Sequence, residues 1–370
     1  MDVRNEENRI FSRFLKRLFA ASLALFAFAA GLVFVFDPFY HFHAPFFGMR
    51  PVLTEKEYQV DGTLKNFSYD ALLLGSSHSD NFDLAQAKAL FGKTFVKGAR
   101  SWGNFHDLCA YADTAFATRA VSLVLFNADA APLRNPETET LSDSGFPLYL
   151  TDNNPFNDIR YLLNKDVLLR RIPYAIAQSS SPLFDASRSY SWHTGKDFSR
   201  AAVLQNYPRH PRIEETADPA SGGEAFERNC ARVIALVEAH PEAEFIFFFP
   251  PVSMLFWDSA HRAGTLEQTL YEEETFLTRI LAYDNVSAYY FCTDEALITN
   301  LDRYMDFTHY DERVNDDMLK EMADPASVFR LQSPEDVPLH MKNMRALLDR
   351  LFTHYLPVLE EEDAFHYSDG

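Results

Sequence analysis

Basic charge is scarce in this chain. Its 34 Lys and Arg stand against 53 Asp and Glu, a formal net charge of -19 over 370 residues. Nucleic-acid phosphates are bound through a basic footprint, so the balance argues against a nucleic-acid partner. It suits a domain that its own charge keeps dispersed. Cysteine is scarcer still. Cys109, Cys230 and Cys292 lie far apart, match no metal spacing and cannot all pair, so they read as small buried apolar residues. The chain also lacks a glycine-rich phosphate cradle, a cluster of metal ligands, an internal repeat and a low-complexity tract. No nucleotide, metal or other cofactor is therefore expected.

Uncharged apolar length is present once. Leu18 to Phe36 is a run of 19 residues without a charge, preceded by Arg9, Arg13, Lys16 and Arg17. As a helix it just spans a bilayer core, and the basic flank stays cytoplasmic. A cleaved signal peptide would have a shorter apolar region ending in small residues. Here the run continues through Val33, Phe34, Val35 and Phe36 to Asp37. The expectation is a cytoplasmic tail over 1–17, an uncleaved signal anchor over 18–36 and a stem over 37–67. A single-pass protein of the cytoplasmic membrane follows, with its C-terminal domain extracytoplasmic. The stem begins Asp-Pro-Phe-Tyr-His-Phe-His-Ala-Pro-Phe-Phe, which reads as an aromatic belt at the membrane exit. His41 and His43 have no third ligand nearby and do not make a metal site.

Beyond the stem the pattern alternates. Ala71 to Leu74 is a short apolar run ended by Gly75, the pattern of a buried strand in a parallel sheet. Leu84 to Phe91 reads as a helix, Thr94 to Val96 as a strand, Asp107 to Thr118 as an amphipathic helix and Val121 to Phe126 as a third strand. Residues 132–222 break the rhythm with one clear helical piece, Pro155 to Ala177, and are expected as an insertion lining or lidding the strand ends. The alternation then resumes with a helix at Gly223 to Ala239, a strand at Glu244 to Phe249, a helix at Glu267 to Leu281 and a strand at Val286 to Phe291. Asp311 caps a helix running to about Met322. A last helix from Val337 to Leu359 precedes a frayed acidic end, making 331–370 a C-terminal helix and tail. The fold predicted is α/β: a three-layer α/β/α arrangement with a parallel, doubly wound, flavodoxin-like sheet behind the N-terminal transmembrane helix.

Two stretches carry chemistry. Gly75-Ser76-Ser77-His78 follows the first strand directly, where open α/β sheets gather their ligands. A serine there projects its hydroxyl into a crevice, and its own N–H faces the same space, which suits a nucleophile that also supplies an oxyanion donor. An ordinary capped turn has the same composition. Near the other end, Asp306-Phe-Thr-His309-Tyr310 places a carboxylate three residues before an imidazole. The carboxylate can hold the ring tautomer while the far nitrogen faces a serine. Helix-entry capping would use the same residues.

Taken in order, Gly-x-Ser after the first strand, a glycine turn after the second (Gly98-Ala-Arg-Ser-Trp-Gly103) and Asp-x-x-His near the C-terminus resemble the SGNH (GDSL-like) hydrolase superfamily over roughly residues 68–325, within an expected domain of 68–330. The resemblance implies Ser77 as nucleophile, with Asp306 and His309 completing a triad. It implies an oxyanion hole from the N–H groups of Ser77 and Gly103. The chain departs from the family twice. Gly98 stands where an asparagine is usual. The third block, Gly-x-Asn-Asp in the family, reads Asn127-Ala128-Asp129, so either Asp129 occupies the oxyanion position or Asn127 supplies the amide. His78, Arg100, Trp102 and Asp129 are possible substrate contacts, and Pro250-Pro251 with Trp257 a possible crevice wall. An anchored, extracytoplasmic domain is most similar to the acyl-transfer branch, which includes alginate O-acetyltransferases and the D-alanyl transfer protein of teichoic acid synthesis. That implies O-acyl transfer through an acyl-Ser77 intermediate onto a cell-surface glycopolymer, with a membrane-bound O-acyltransferase as partner. An esterase acting on the same polymer, and a catalytically silent polymer-binding or assembly protein, are the alternatives.

Overall fold

The computed structural model describes residues 3–129, 133–134, 147–152, 154–213, 218–219 and 223–367. The early part of the expected insertion and the extreme C-terminus lie largely outside them. The chain divides into two units, Met1–Phe67 with Pro147–Ala186, and Ser68–Phe146 with Ser187–Gly370. Each is described by itself.

In the first unit a single long helix, α1 (Val3–Phe36), takes up both the charged N-terminal stretch and the apolar run. Its last turn is packed, not free. Val33 is fully buried against Phe39, Leu150, Tyr161, Val167 and Ile172. Asp37 then turns the chain with a positive φ of 34°. Its carboxylate accepts the N–H groups of His41, Phe42 and His43 at 3.1, 2.7 and 3.0 Å and the Tyr161 hydroxyl at 2.8 Å. The expected stem is thus a folded knot, and it contains a helix, α2 (Lys56–Asn66), that the sequence pattern does not announce. A Cβ on Gly62 would lie 2.6 Å or less from the Phe39 and Tyr40 carbonyl oxygens, so only glycine lets α2 approach that backbone. The helix expected over 155–177 is broken into Ile159–Leu162, a wide π turn at Val167–Arg171 and Ile172–Ser180. Asn164 is the reason: its side-chain oxygen accepts from Asp166 and Val167 N–H and restarts the helix.

The second unit is α/β with a mostly parallel six-stranded sheet. Strands β1 (Ala71–Gly75), β2 (Phe95–Ala99), β3 (Leu123–Asn127), β5 (Glu244–Phe249), β6 (Val286–Tyr290) and β7 (Arg330–Leu331) lie in the order 2-1-3-5-6-7. Only β7 runs antiparallel. Pro208–Arg209 (β4) and His366–Tyr367 (β8) form a separate two-stranded sheet. β1, β2, β3 and β6 are buried along their whole length, as near-continuous apolar runs require. The order reverses between β1 and β3, so the crevice at their carboxyl ends is the switch point where such sheets bind ligands. Asp83 caps the helix Leu84–Phe91, and an Asn104/Asp107 capping box opens the helix Phe105–Thr118, two residues before the expected start. A helix at Met254–Arg262, capped by Ser253, was not evident from the sequence. It buries Trp257 completely, so Trp257 is a core residue and not a crevice wall.

One buried carboxyl in this unit makes stability depend on pH. Glu273, on the helix Leu266–Ile280, is fully buried and accepts the Tyr290 hydroxyl at 2.6 Å. Burial, opposed only partly by that hydrogen bond, pushes its carboxyl from 4.5 up to about 8. The folded chain therefore holds a proton that the unfolded chain releases, and stability falls as pH rises between those values. Glu273→Gln should be close to neutral at pH 4 and stabilising by about 3 kcal/mol at pH 7, read as denaturant midpoints at both pH values.

Candidate active site

At the end of β1 the chain must turn without leaving the sheet. Gly75 allows it, because a Cβ there would collide with Ser79 and Asn127. A single 3-10 turn, Ser77–Ser79, follows, with Ser76 as its cap. Ser77 is left half-exposed at the tip. Its N–H donates to no described residue, while its carbonyl accepts from Asp80 N–H and the Trp192 indole.

The loop Asp306–His309 meets this tip. Ser77 Oγ lies 2.8 Å from His309 Nε2, and His309 Nδ1 lies 2.8 Å from Asp306 Oδ2. Facing two carboxylate oxygens, Nδ1 carries the proton, which leaves the Nε2 lone pair for the serine hydroxyl. Asp306 also accepts the backbone N–H groups of Thr308 and His309 at 2.9 and 2.7 Å. Burial would raise its pKa, but the His309 bond and charge and those N–H groups outweigh burial and bring it down to about 2. The loop is pinned from outside, since Ser253 Oγ donates to the Phe307 carbonyl at 2.8 Å and Met305 N–H to His309 O at 3.0 Å. The fold thus brings Ser77 into one hydrogen-bonded line with His309 and Asp306, which lie more than 200 residues further along the chain.

A second imidazole–carboxylate pair stands beside the first. His78 Nδ1 lies 3.0 Å from Asp129 Oδ1, and its Nε2 lies 3.1 Å from the Thr308 carbonyl. A carbonyl oxygen only accepts and the carboxylate accepts as well, so His78 is held as an imidazolium. Burial pulls its pKa down, but the charge and hydrogen bond of Asp129 prevail and raise it; burial would raise Asp129, and His78 lowers it. Ser76 Oγ also donates to Asp129. The His78 and His309 rings sit 5.0 Å apart. Asp129 therefore neutralises a fixed cation and ties the β1, β3 and His309 loops together. The ring nitrogens of His78 and the carboxylate of Asp129 are thus engaged with protein groups.

Other expected site residues fall elsewhere. Gly103 N–H donates to the Arg100 carbonyl at 3.2 Å, because the loop after β2 closes on itself with Trp102 at a φ of +57°. The Asn127 amide donates to Ser79 Oγ at 3.3 Å, behind the turn. Of the three expected donors, the Ser77 N–H alone donates to no protein group among the described residues. Arg100 is buried in an ion pair with Asp107 at 3.1 Å, so it supports the loop from within. Trp102 is 83% exposed and stays a candidate contact.

Comparison with protein-family models, with curated proteins and with solved structures found no match.

Two residues of the site were missed. Trp192 donates to Ser77 O at 2.9 Å and sets its edge against the His309 ring at 5.3 Å. Asn81 holds that segment by accepting from Ser191 Oγ and Trp192 N–H at 2.9 and 3.0 Å. Trp192 is the one tryptophan of the expected insertion, which was the available signal. Cys109, Cys230 and Cys292 are all free and buried. His41 pairs with Asp158 at 3.0 Å, and no group able to hold a metal occurs among the described residues.

Proposed function

We propose that this chain is a membrane-anchored, SGNH-like acyltransferase whose outer domain moves an ester-linked acyl group onto a hydroxyl of a cell-surface glycopolymer. The hydrogen-bonded line from Ser77 through His309 to Asp306 carries this reading. Ser77 Oγ attacks the acyl carbonyl as His309 Nε2 takes its proton, and Ser77 N–H meets the developing oxyanion. His309 returns the proton to the leaving group, leaving acyl-Ser77. A polymer hydroxyl, deprotonated by His309, then attacks the ester and frees Ser77. Asp306 stays ionised throughout and holds the imidazolium that forms at each step. A membrane-bound O-acyltransferase would deliver the acyl group. Retention of α1 as an anchor is supported by Val33, since cleavage before Asp37 would remove a fully buried residue from the first unit's core.

The chemistry up to acyl-Ser77 is shared with esterases, so the acceptor separates the two. Pre-acylated protein should lose its acyl group faster when oligosaccharide is added, with the ester recovered on the sugar. Deacylation at an unchanged rate, with all the acid released free, would make the chain an esterase.

A further inference from the structure

The first unit shows an apolar surface that a water-facing domain would not keep. Leu169, Arg170, Pro173, Tyr174, Ile176 and Ala177 are exposed along Val167–Ser180, while Val167, Ile172 and Ala175 pack inward. A surface helix ordinarily turns charge outward; this one is apolar on both faces and carries a single outward charge, Arg170. The neighbouring helix, Ile159–Leu162, adds Ile159, with Leu163 just after it and Phe156, 88% exposed, just before it; Arg160 and Lys165 are the exposed basic residues among them.

The height of this surface follows from α1. The uncharged run of 19 residues between Arg17 and Asp37 is about 28 Å long, against a hydrocarbon core of about 30 Å. The span has no slack to slide, so Phe36 marks the outer boundary. Val33 lies about 4.5 Å below it along the helix axis. Yet Val33 is buried by Leu150, Tyr161, Val167 and Ile172, with Phe36 packed on the same cluster. The elements that close over Val33 therefore sit at the boundary between acyl chains and headgroups.

We propose that residues 156–177 form a shelf lying in the outer lipid surface, its outward face (Phe156, Leu163, Leu169, Ile176) entering the boundary between headgroups and acyl chains. Buried apolar area holds the shelf there, and Arg170 meets lipid phosphate. The shelf gives the first unit a second attachment besides α1. It rests on the reading of α1 as a retained anchor.

The test uses the full chain in lipid nanodiscs with one nitroxide per variant: Leu169→Cys, Ile176→Cys, Phe26→Cys within the span, and Val328→Cys as an aqueous control, that residue being 79% exposed. The three native cysteines are buried. Collision with dissolved oxygen, which concentrates in lipid, is compared with collision with a water-soluble nickel chelate. The oxygen-to-nickel ratio at 169 and 176 should exceed that at 328 by about fivefold or more, and stay below that at 26. Nickel access at 169 and 176 equal to that at 328, with 26 still in lipid, would overturn the shelf and leave the anchor standing. Shielding from both probes would mean a protein contact, such as a second copy, and would also overturn it. Nickel access at 26 would remove the anchor, and the shelf with it.

Discussion

Asp306→Asn is expected to slow acylation of Ser77 by about 10⁴-fold without unfolding the protein. The carboxylate accepts from His309 Nδ1 and from two backbone N–H groups. An amide can turn its NH₂ toward Nδ1, which shifts the ring proton to Nε2 and takes away the lone pair that Ser77 needs. The effect then lies in the rate of the chemical step, seen as burst kinetics with an activated acyl ester. With its pKa at about 2, Asp306 stays ionised down to strongly acidic solution. Its contribution to stability is therefore present above the ordinary carboxylate value of 3.8 and is lost as pH falls through about 2. A variant acylated within tenfold of the parent would mean that Asp306 caps the loop and does nothing more.

The second large effect belongs to Asp129. Asp129→Asn leaves the His78 imidazolium buried without its counter-charge, a change that typically costs about 3–5 kcal/mol. The pair's own pH window checks the cause. Asp129 is held below 3.8, so its share of stability is present above that value and lost as pH falls. His78 is held above 6.5, so its share is present below that value and lost as pH rises past its raised pKa. The stability gap between parent and variant should be widest between about pH 4 and 6.5. Removing the cation as well, in His78→Gln/Asp129→Asn, should recover much of the loss, because no unpaired charge remains. Equal unfolding midpoints for Asp129→Asn and parent across that range would contradict the ion pair.

The strands that build the crevice were legible because buried parallel strands are nearly pure apolar runs, and Gly75 marks where the first one ends. That Ser77, His309 and Asp306 meet was legible because their residue types and order are specific, even with Ser77 and His309 232 positions apart. Where the donors go was not. Whether Gly103 N–H and the Asn127 amide face Ser77 or turn into Arg100 and Ser79 is decided by how three loops close on one another. Asp129 looked like a charge misplaced in an oxyanion hole; only its contact with His78 shows what it balances. Helix α2 hid because it has polar residues on much of its surface and a glycine in its middle, and packing against Phe39 and Tyr40 supplies what propensity does not. Trp192 sits where no periodicity exists to place it.

Ser77 is expected to become acylated because His309 activates it. The most direct measurement is the intact mass of the full chain in detergent, parent beside Ser77→Ala, after brief exposure to an activated acyl ester. One added acyl group is expected on the parent and none on Ser77→Ala. The same adduct on both proteins, or no adduct on the parent, would contradict it.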